Sequence, residues 1–204
     1  MNEQSITPLA PSNPPPNGES WRGASSAPSN PPHIRGQQEG GRIAIFPGSF
    51  DPFTIGHADI VRRGLRLFDR IVIAVGYNAQ KTSATAVEER LAAIARIYKE
   101  ESRVKVVSYT CLTSDLAQRE GAQFLLRGVR SVKDFEYERD MAAVNADLAA
   151  NAASADLAAT VPEASAEGSL ETVLLFANPR YAHISSSVVR ELQSYGRDVT
   201  PYLP

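Results

Sequence analysis

From residue 42 onward the apolar positions alternate between two textures. Residues 42–46, 71–76, 104–107, 124–126 and 172–176 are short, mainly apolar runs, several of them rich in β-branched side chains, and 71–76 is unbroken. Runs of that length and content predict strands covered on both faces. The first is closed by Pro47-Gly48, a turn signal. Between the runs the apolar residues take a helical period. Ile60, Val61, Gly64, Leu65 and Phe68 share one face of a helix predicted over 56–68. Val87, Leu91, Ile94 and Tyr98 mark a second helix, over 87–98. Residues 114–120, 133–148 and 186–195 read as three more. Strand and helix alternate throughout, so the pattern predicts one α/β domain over 42–204. Its expected architecture is a Rossmann-like, doubly wound parallel sheet of about five strands. Such sheets bind ligands beyond the carboxyl ends of their strands.

Two segments depart from the rhythm. Residues 1–41 hold eight of the fourteen prolines among Ser, Asn, Gly and Gln, a composition that buries too little apolar surface to offset the entropy of ordering. They read as a disordered leader, with Trp21 a solvated tail residue. Residues 146–169 are alanine-rich, lack Lys and Arg, and repeat Ala-Asp-Leu-Ala-Ala at 146–150 and 155–159. Alanine favours helix, while Pro162 and Gly168 interrupt it, so an extension of the preceding helix followed by a loop is expected.

Composition then narrows the class. Hydrophobic residues make up 43% and charged residues 22% of the chain, with net charge −2 and pI ≈ 6.0. That balance favours neither nucleic acid nor a membrane surface as partner. One cysteine, Cys111, excludes an intrachain disulfide and fits a reducing compartment. It reads as a small buried residue, not a nucleophile. No apolar run reaches the roughly 18 residues of a membrane span, and residues 1–16 lack the apolar core of a signal peptide. A cytoplasmic location is expected.

The candidate chemistry sits where the first strand meets the first helix, in Pro47-Gly48-Ser49-Phe50-Asp51-Pro52-Phe53-Thr54-Ile55-Gly56-His57. Backbone N–H groups there are free to meet an anion. Gly48 allows a tight turn, Ser49 and Thr54 offer hydroxyls, and His57 falls on the first helical turn. Taken alone, Thr54 could simply cap the helix. Arg127 and Arg130 flank a glycine after the fourth strand, and the serine run 185–187 opens the last helix, where serines can cap it and also donate to phosphate.

Pro-Gly-Ser-Phe-Asp-Pro followed by Thr-x-Gly-His resembles the signature of the nucleotidylyltransferases, and more narrowly the phosphopantetheine adenylyltransferase family. Glu88-Glu89-Arg90, Arg127-Gly128-Val129-Arg130, Asp134-Phe135-Glu136-Tyr137-Glu138, and Ile184-Ser185-Ser186-Ser187 with Arg190 carry the resemblance further, in order and at compatible spacing. It covers roughly 42–145 and 170–204. It implies transfer of an adenylyl group from ATP to 4'-phosphopantetheine, with magnesium accompanying the ATP and the chain assembled as a homohexamer.

By the same resemblance, His57 stabilises the transition state, and Lys81 and Arg127 neutralise charge near the reacting phosphates. Ser49, Lys81, Thr113 and Arg127 hold the acceptor. Ser49, Phe50, His57, Gly128, Val129, Arg130, Glu138 and the segment Tyr181, Ala182, His183, Ile184, Ser185, Ser186 and Ser187 hold the nucleotide. No protein metal ligand is implied. A related enzyme with another phosphate acceptor and a catalytically silent nucleotide-binding protein are the competing readings.

Overall fold

The structure is a computed structural model and describes residues 41–76, 86–156 and 170–204, all within one compact unit, 39–204. The expected leader, but for Gly41, lies outside the described residues, as do Lys81 and the part of the alanine-rich segment covering 157–169.

Five strands form one parallel sheet: β1 (Ile43–Gly48), β2 (Arg70–Gly76), β3 (Val104–Tyr109), β4 (Phe124–Val129) and β5 (Glu171–Phe176), in the order β3-β2-β1-β4-β5. Helices α1 (Ile55–Gly64), α2 (Val87–Ile97), α3 (Thr113–Glu120), α4 (Val132–Asp156) and α5 (Ser186–Ser194) follow the strands in turn, and a 3₁₀ turn occupies Thr200–Tyr202. The alternation of side chains along each strand separates two cores. Ala44, Phe46, Ile71, Ile73, Val75 and Leu126 pack with Ile60 and Val61 of α1 and Ile94 of α2. Ile45, Val72, Ala74 and Leu125 pack with Leu116 and Ala117 of α3 and, less buried, Ala149 of α4. Apolar residues on both strand faces are what a doubly covered sheet requires, and the Rossmann-like fold follows.

The site owes its place to one feature of the register. β1 stays paired with β2 as far as Gly48, and β4 with β5 as far as Val129. Between β1 and β4 the pairs are Ala44–Phe124 and Ile45–Leu125. These two strands part halfway along their length, at the point where the strand order reverses. That is where open α/β sheets leave a crevice.

Several boundaries differ from the sequence pattern. Pro47 and Gly48 end β1 and do not form a turn after it, because both still pair with β2. β4 runs through Arg127 and Gly128 to Val129, held by β5, so Arg127 stands within the strand rather than after it. α1 ends at Gly64, earlier than its apolar face suggested, and a short turn carries the chain on to Phe68. α4 extends to Asp156 through the alanine-rich residues, whose propensity suits it.

Candidate functional site

Two adjoining cavities occupy the crevice. One, of about 340 Å³, is lined by Ser49, Phe50, Thr54, His57, Gly128, Arg130, Tyr181, Ile184 and the serines 185–187, among others. The second, of about 540 Å³, includes Tyr109, Thr113, Tyr137, Met141 and Asn145. Pro47, Gly48, Ser49, Arg127 and Glu138 line both, forming the wall between them. One cavity therefore collects most of the residues expected to hold a nucleotide, and the other holds Thr113, expected to meet the acceptor.

His57 is the third residue of α1. The backbone N–H of Thr54 donates to its Nδ1 at 2.9 Å, and the Thr54 hydroxyl lies 3.0 Å from the same nitrogen. Thr54 is the N-cap, in extended backbone, and is buried. Helix capping and ring orientation are thus one device. An Nδ1 that accepts from a backbone N–H leaves the neutral ring's hydrogen on Nε2, which becomes a donor. The ring packs edge-on against Phe50, centroids 5.1 Å apart, and beside Phe53 and Phe46. Burial first, and then the charges of Arg130 and Arg127, lower its pKa from 6.5 to about 4. Near neutral pH the site holds a neutral imidazole.

Arg127 is expected to meet phosphate, but its guanidinium has protein partners. Its Nε and Nη2 bind the two Glu138 oxygens at 2.7 and 2.5 Å, and its Nη1 donates to the Pro47 carbonyl. The side chain bridges β4 to β1 across the gap between the strands. Glu138, expected to contact nucleotide, is buried and serves as this arginine's partner. Arg130 is more open, its Nε held by Asp134 at 3.1 Å. The Val129 side chain is buried in the core and its carbonyl accepts from Ala177 N–H at 2.7 Å. Ala182 and His183 line neither cavity, and the His183 side chain is exposed.

The serine run is partly committed. Ser185 is the N-cap of α5 and accepts from Val188 N–H at 3.2 Å. Ser186 donates to the Pro52 carbonyl at 2.8 Å, and Ser187 accepts from Arg190 at 3.3 Å. Cys111 is a correction. It is exposed, on the loop between β3 and α3, with its Sγ 3.0 Å from Arg119 Nη2. A connection that leaves the sheet edge runs over the surface, whatever the burial tendency of its residues.

Sequence reading missed a set of supports. Besides Arg127 on Pro47, Arg90 of α2 donates to the Ser49 carbonyl, and Arg190 of α5 to that of Asp51. Arg90 is only 5% exposed. An arginine buried early in a helix is unusual enough to flag, but only the fold shows what it holds.

A five-stranded parallel sheet parted at its switch point, with a His-bearing helix N-terminus and arginines at the parting, has the outline of a nucleotide-handling enzyme. In keeping with it, residues 45–192 match the model of the cytidylyltransferase-like family. Within that class, a phosphopantetheine adenylyltransferase of Bacteroides fragilis is 44% identical over 163 residues, covering 80% of this chain and 96% of the relative. One from Porphyromonas gingivalis is 46% identical over 162 residues, covering 79% and 94%, and one from Limosilactobacillus reuteri is 41% identical over 163 residues, covering 80% and 84%. The chain belongs to the phosphopantetheine adenylyltransferase family.

Proposed function

We propose that the chain catalyses adenylyl transfer from ATP to 4'-phosphopantetheine, giving 3'-dephospho-coenzyme A and pyrophosphate in coenzyme A biosynthesis. The observation that carries this is the His57 ring, neutral and with Nε2 left as donor, at the cavity that Arg127, Arg130 and the serine run share. The acceptor phosphate attacks the α-phosphorus of ATP in line. A new P–O bond forms as the bond to the β-phosphate oxygen breaks, and the electron pair leaves with pyrophosphate. An anionic phosphate needs no general base. The barrier lies in bringing two polyanions together and accommodating the charge on the transferring and leaving oxygens, which fixed donors do through positioning and electrostatics.

In this reading the smaller cavity takes the nucleotide and the larger one the pantetheine arm, whose phosphate meets ATP over the shared wall. His57 donates from Nε2 to the phosphoryl group in transit. Arg130 and the N-terminus of α5 face the nucleotide phosphates. Arg127, fixed by Glu138 and Pro47, presents a positive charge to the acceptor phosphate, and Lys81 is proposed as a further cation there.

Magnesium enters as part of Mg-ATP. The carboxylates lining the nucleotide cavity, Asp134 and Glu138, are each engaged by an arginine. Among the described residues no group of three His, Cys, Asp or Glu gathers as a cation cage. The ion belongs to the substrate in this reading, and phosphate oxygens would hold it.

A cytoplasmic location fits the exposed thiol of Cys111. No helix among the described residues is long and apolar enough to cross a membrane. A homohexamer fits the exposed Val132, Tyr137 and Val144 of α4, and light scattering of the purified protein measures it.

The test of the reaction is pyrophosphate release from Mg-ATP with and without 4'-phosphopantetheine, with nicotinamide mononucleotide as control acceptor. Release that requires phosphopantetheine is expected. Release with only the control acceptor would overturn the substrate assignment, and release with neither would overturn the enzymatic reading.

A further inference from the structure

Three arginines from three different elements each donate to a backbone carbonyl of one short stretch. Arg127 of β4 holds Pro47, Arg90 of α2 holds Ser49, and Arg190 of α5 holds Asp51. Ser186 adds the Pro52 carbonyl, and a second nitrogen of Arg190 reaches Ser187. Between the carbonyls held by Arg90 and Arg190 sits Phe50, whose φ is 47°. That is left-handed backbone, which costs a bulky residue free energy and persists only where the surroundings over-determine it. Arg90 and Arg190 line neither of the two cavities at the crevice, and each instead holds a residue that does or that adjoins one.

The chemistry of the peptide group gives these contacts their meaning. Left to itself, a loop beside a polyanion can turn a carbonyl oxygen toward it, which repels, or an N–H, which attracts. In a trans peptide the carbonyl of one residue and the N–H of the next point in opposite directions. A guanidinium fixed on the Ser49 carbonyl therefore also fixes the direction of the Phe50 N–H. Phe50 lines the nucleotide cavity. The Arg90 and Arg190 guanidinia also bring positive charge behind the loop without lining either cavity.

We propose that Arg90 and Arg190 are positioning residues for adenylyl transfer. Together they hold the strained 49–52 loop in the orientation that presents the Phe50 N–H and the Ser49 side chain to phosphate: Arg90 fixes that peptide, and Arg190 anchors the loop's far end at Asp51, whose neighbour Pro52 has no N–H to present. The proposal rests on the reaction proposed above. Because they act through the loop's geometry, their loss falls on turnover more than on ATP binding, which the serine run, Arg130 and the other cavity residues still support.

The experiment compares wild type with Arg90→Gln, Arg90→Lys, Arg190→Gln and Arg190→Lys, all below their melting temperatures. The readouts are kcat and KM for Mg-ATP, and hydrogen–deuterium exchange of the peptide spanning 47–54 with and without Mg-ATP. The Gln variants are expected to lose about tenfold to a hundredfold in kcat with KM changed less than about threefold. Lysine, which keeps the charge and one donor, restores most of kcat. Mg-ATP protects the 47–54 peptide in wild type, and the Gln variants lose that protection while retaining protection at 181–187.

Kcat within about twofold of wild type together with wild-type protection of 47–54 would overturn the proposal. So would a loss confined to thermal stability, with kcat intact in the folded fraction. If Arg90→Gln does not fold, the less buried Arg190→Gln and both Lys variants decide the matter. If wild type releases no pyrophosphate with phosphopantetheine, the proposed reaction fails, and the exchange data with Mg-ATP alone still judge the loop.

Discussion

At the residue scale, His57 combines three constraints that act on one ring: a backbone N–H on Nδ1, an aromatic wall, and two arginines nearby. Each favours the neutral form. The folded state binds this proton less readily than the unfolded chain, whose histidine titrates near 6.5. The stabilising contribution is therefore complete above pH 6.5 and is lost as pH falls toward about 4. Relative to His57→Gln, wild type is expected to lose up to about 3 kcal/mol between pH 7 and pH 4, measured by urea unfolding at each pH. In turnover at pH 7.5, His57→Ala is expected to cost about 10²- to 10³-fold in kcat while leaving the circular dichroism spectrum unchanged, as for loss of an oriented donor to developing charge. Gly48 makes a complementary case. A Cβ there would lie 2.7 Å from Cζ of Phe50, so Gly48→Ala must displace the ring that packs against His57. Its kcat is expected to fall at least about tenfold, and steady-state kinetics checks it.

At the scale of elements, α1 places the histidine, and its seat on the sheet leaves no slack. A Cβ on Gly64 would stand 2.6 Å from Leu126 Cδ2 and 2.8 Å from Ile71 Cδ1. Alanine is the better helix former by about 1 kcal/mol, yet Gly64→Ala is expected to destabilise by about 1–3 kcal/mol through overpacking, read from the denaturant midpoint. Most elements could be read from the chain because a doubly covered parallel strand announces itself as a short, mainly apolar run. The ends of those strands could not. Arg127 and Gly128 do not resemble a strand interior, and they stay in β4 only because their backbone groups pair with β5. Pro47 and Gly48 look like a turn and stay in β1 through their pairing with β2. The signature loop, the His57 helix and the serine run were legible because their chemistry is local. The carbonyl clamps were not, because Arg90 lies 41 residues from Ser49 and Arg190 lies 139 from Asp51. An arginine's partner, when it is a carbonyl, leaves no mark in the side-chain pattern. Arg127 shows the same limit: its position was legible, its pairing with Glu138 was not.

At the scale of the whole molecule, two cores hold opposite faces of one sheet, and the sheet opens only where β1 and β4 part. Ligands that fill the opening should stabilise the whole domain. Mg-ATP at about a hundred times its Kd is expected to add about 2.7 kcal/mol, seen as a rise in Tm. If magnesium enters only with the nucleotide, EDTA will abolish turnover yet leave the Tm of the ligand-free protein unchanged. A lowered Tm on chelation would instead reveal a resident ion and refute that account. The common wall of Pro47, Gly48, Ser49, Arg127 and Glu138 also has a pharmacological consequence. A single compound joining a nucleotide to a pantetheine-like arm across that wall would make its second attachment at high effective concentration. Its avidity is expected to exceed that of either half by about 10²- to 10⁴-fold, provided the linker's length matches the span across the wall.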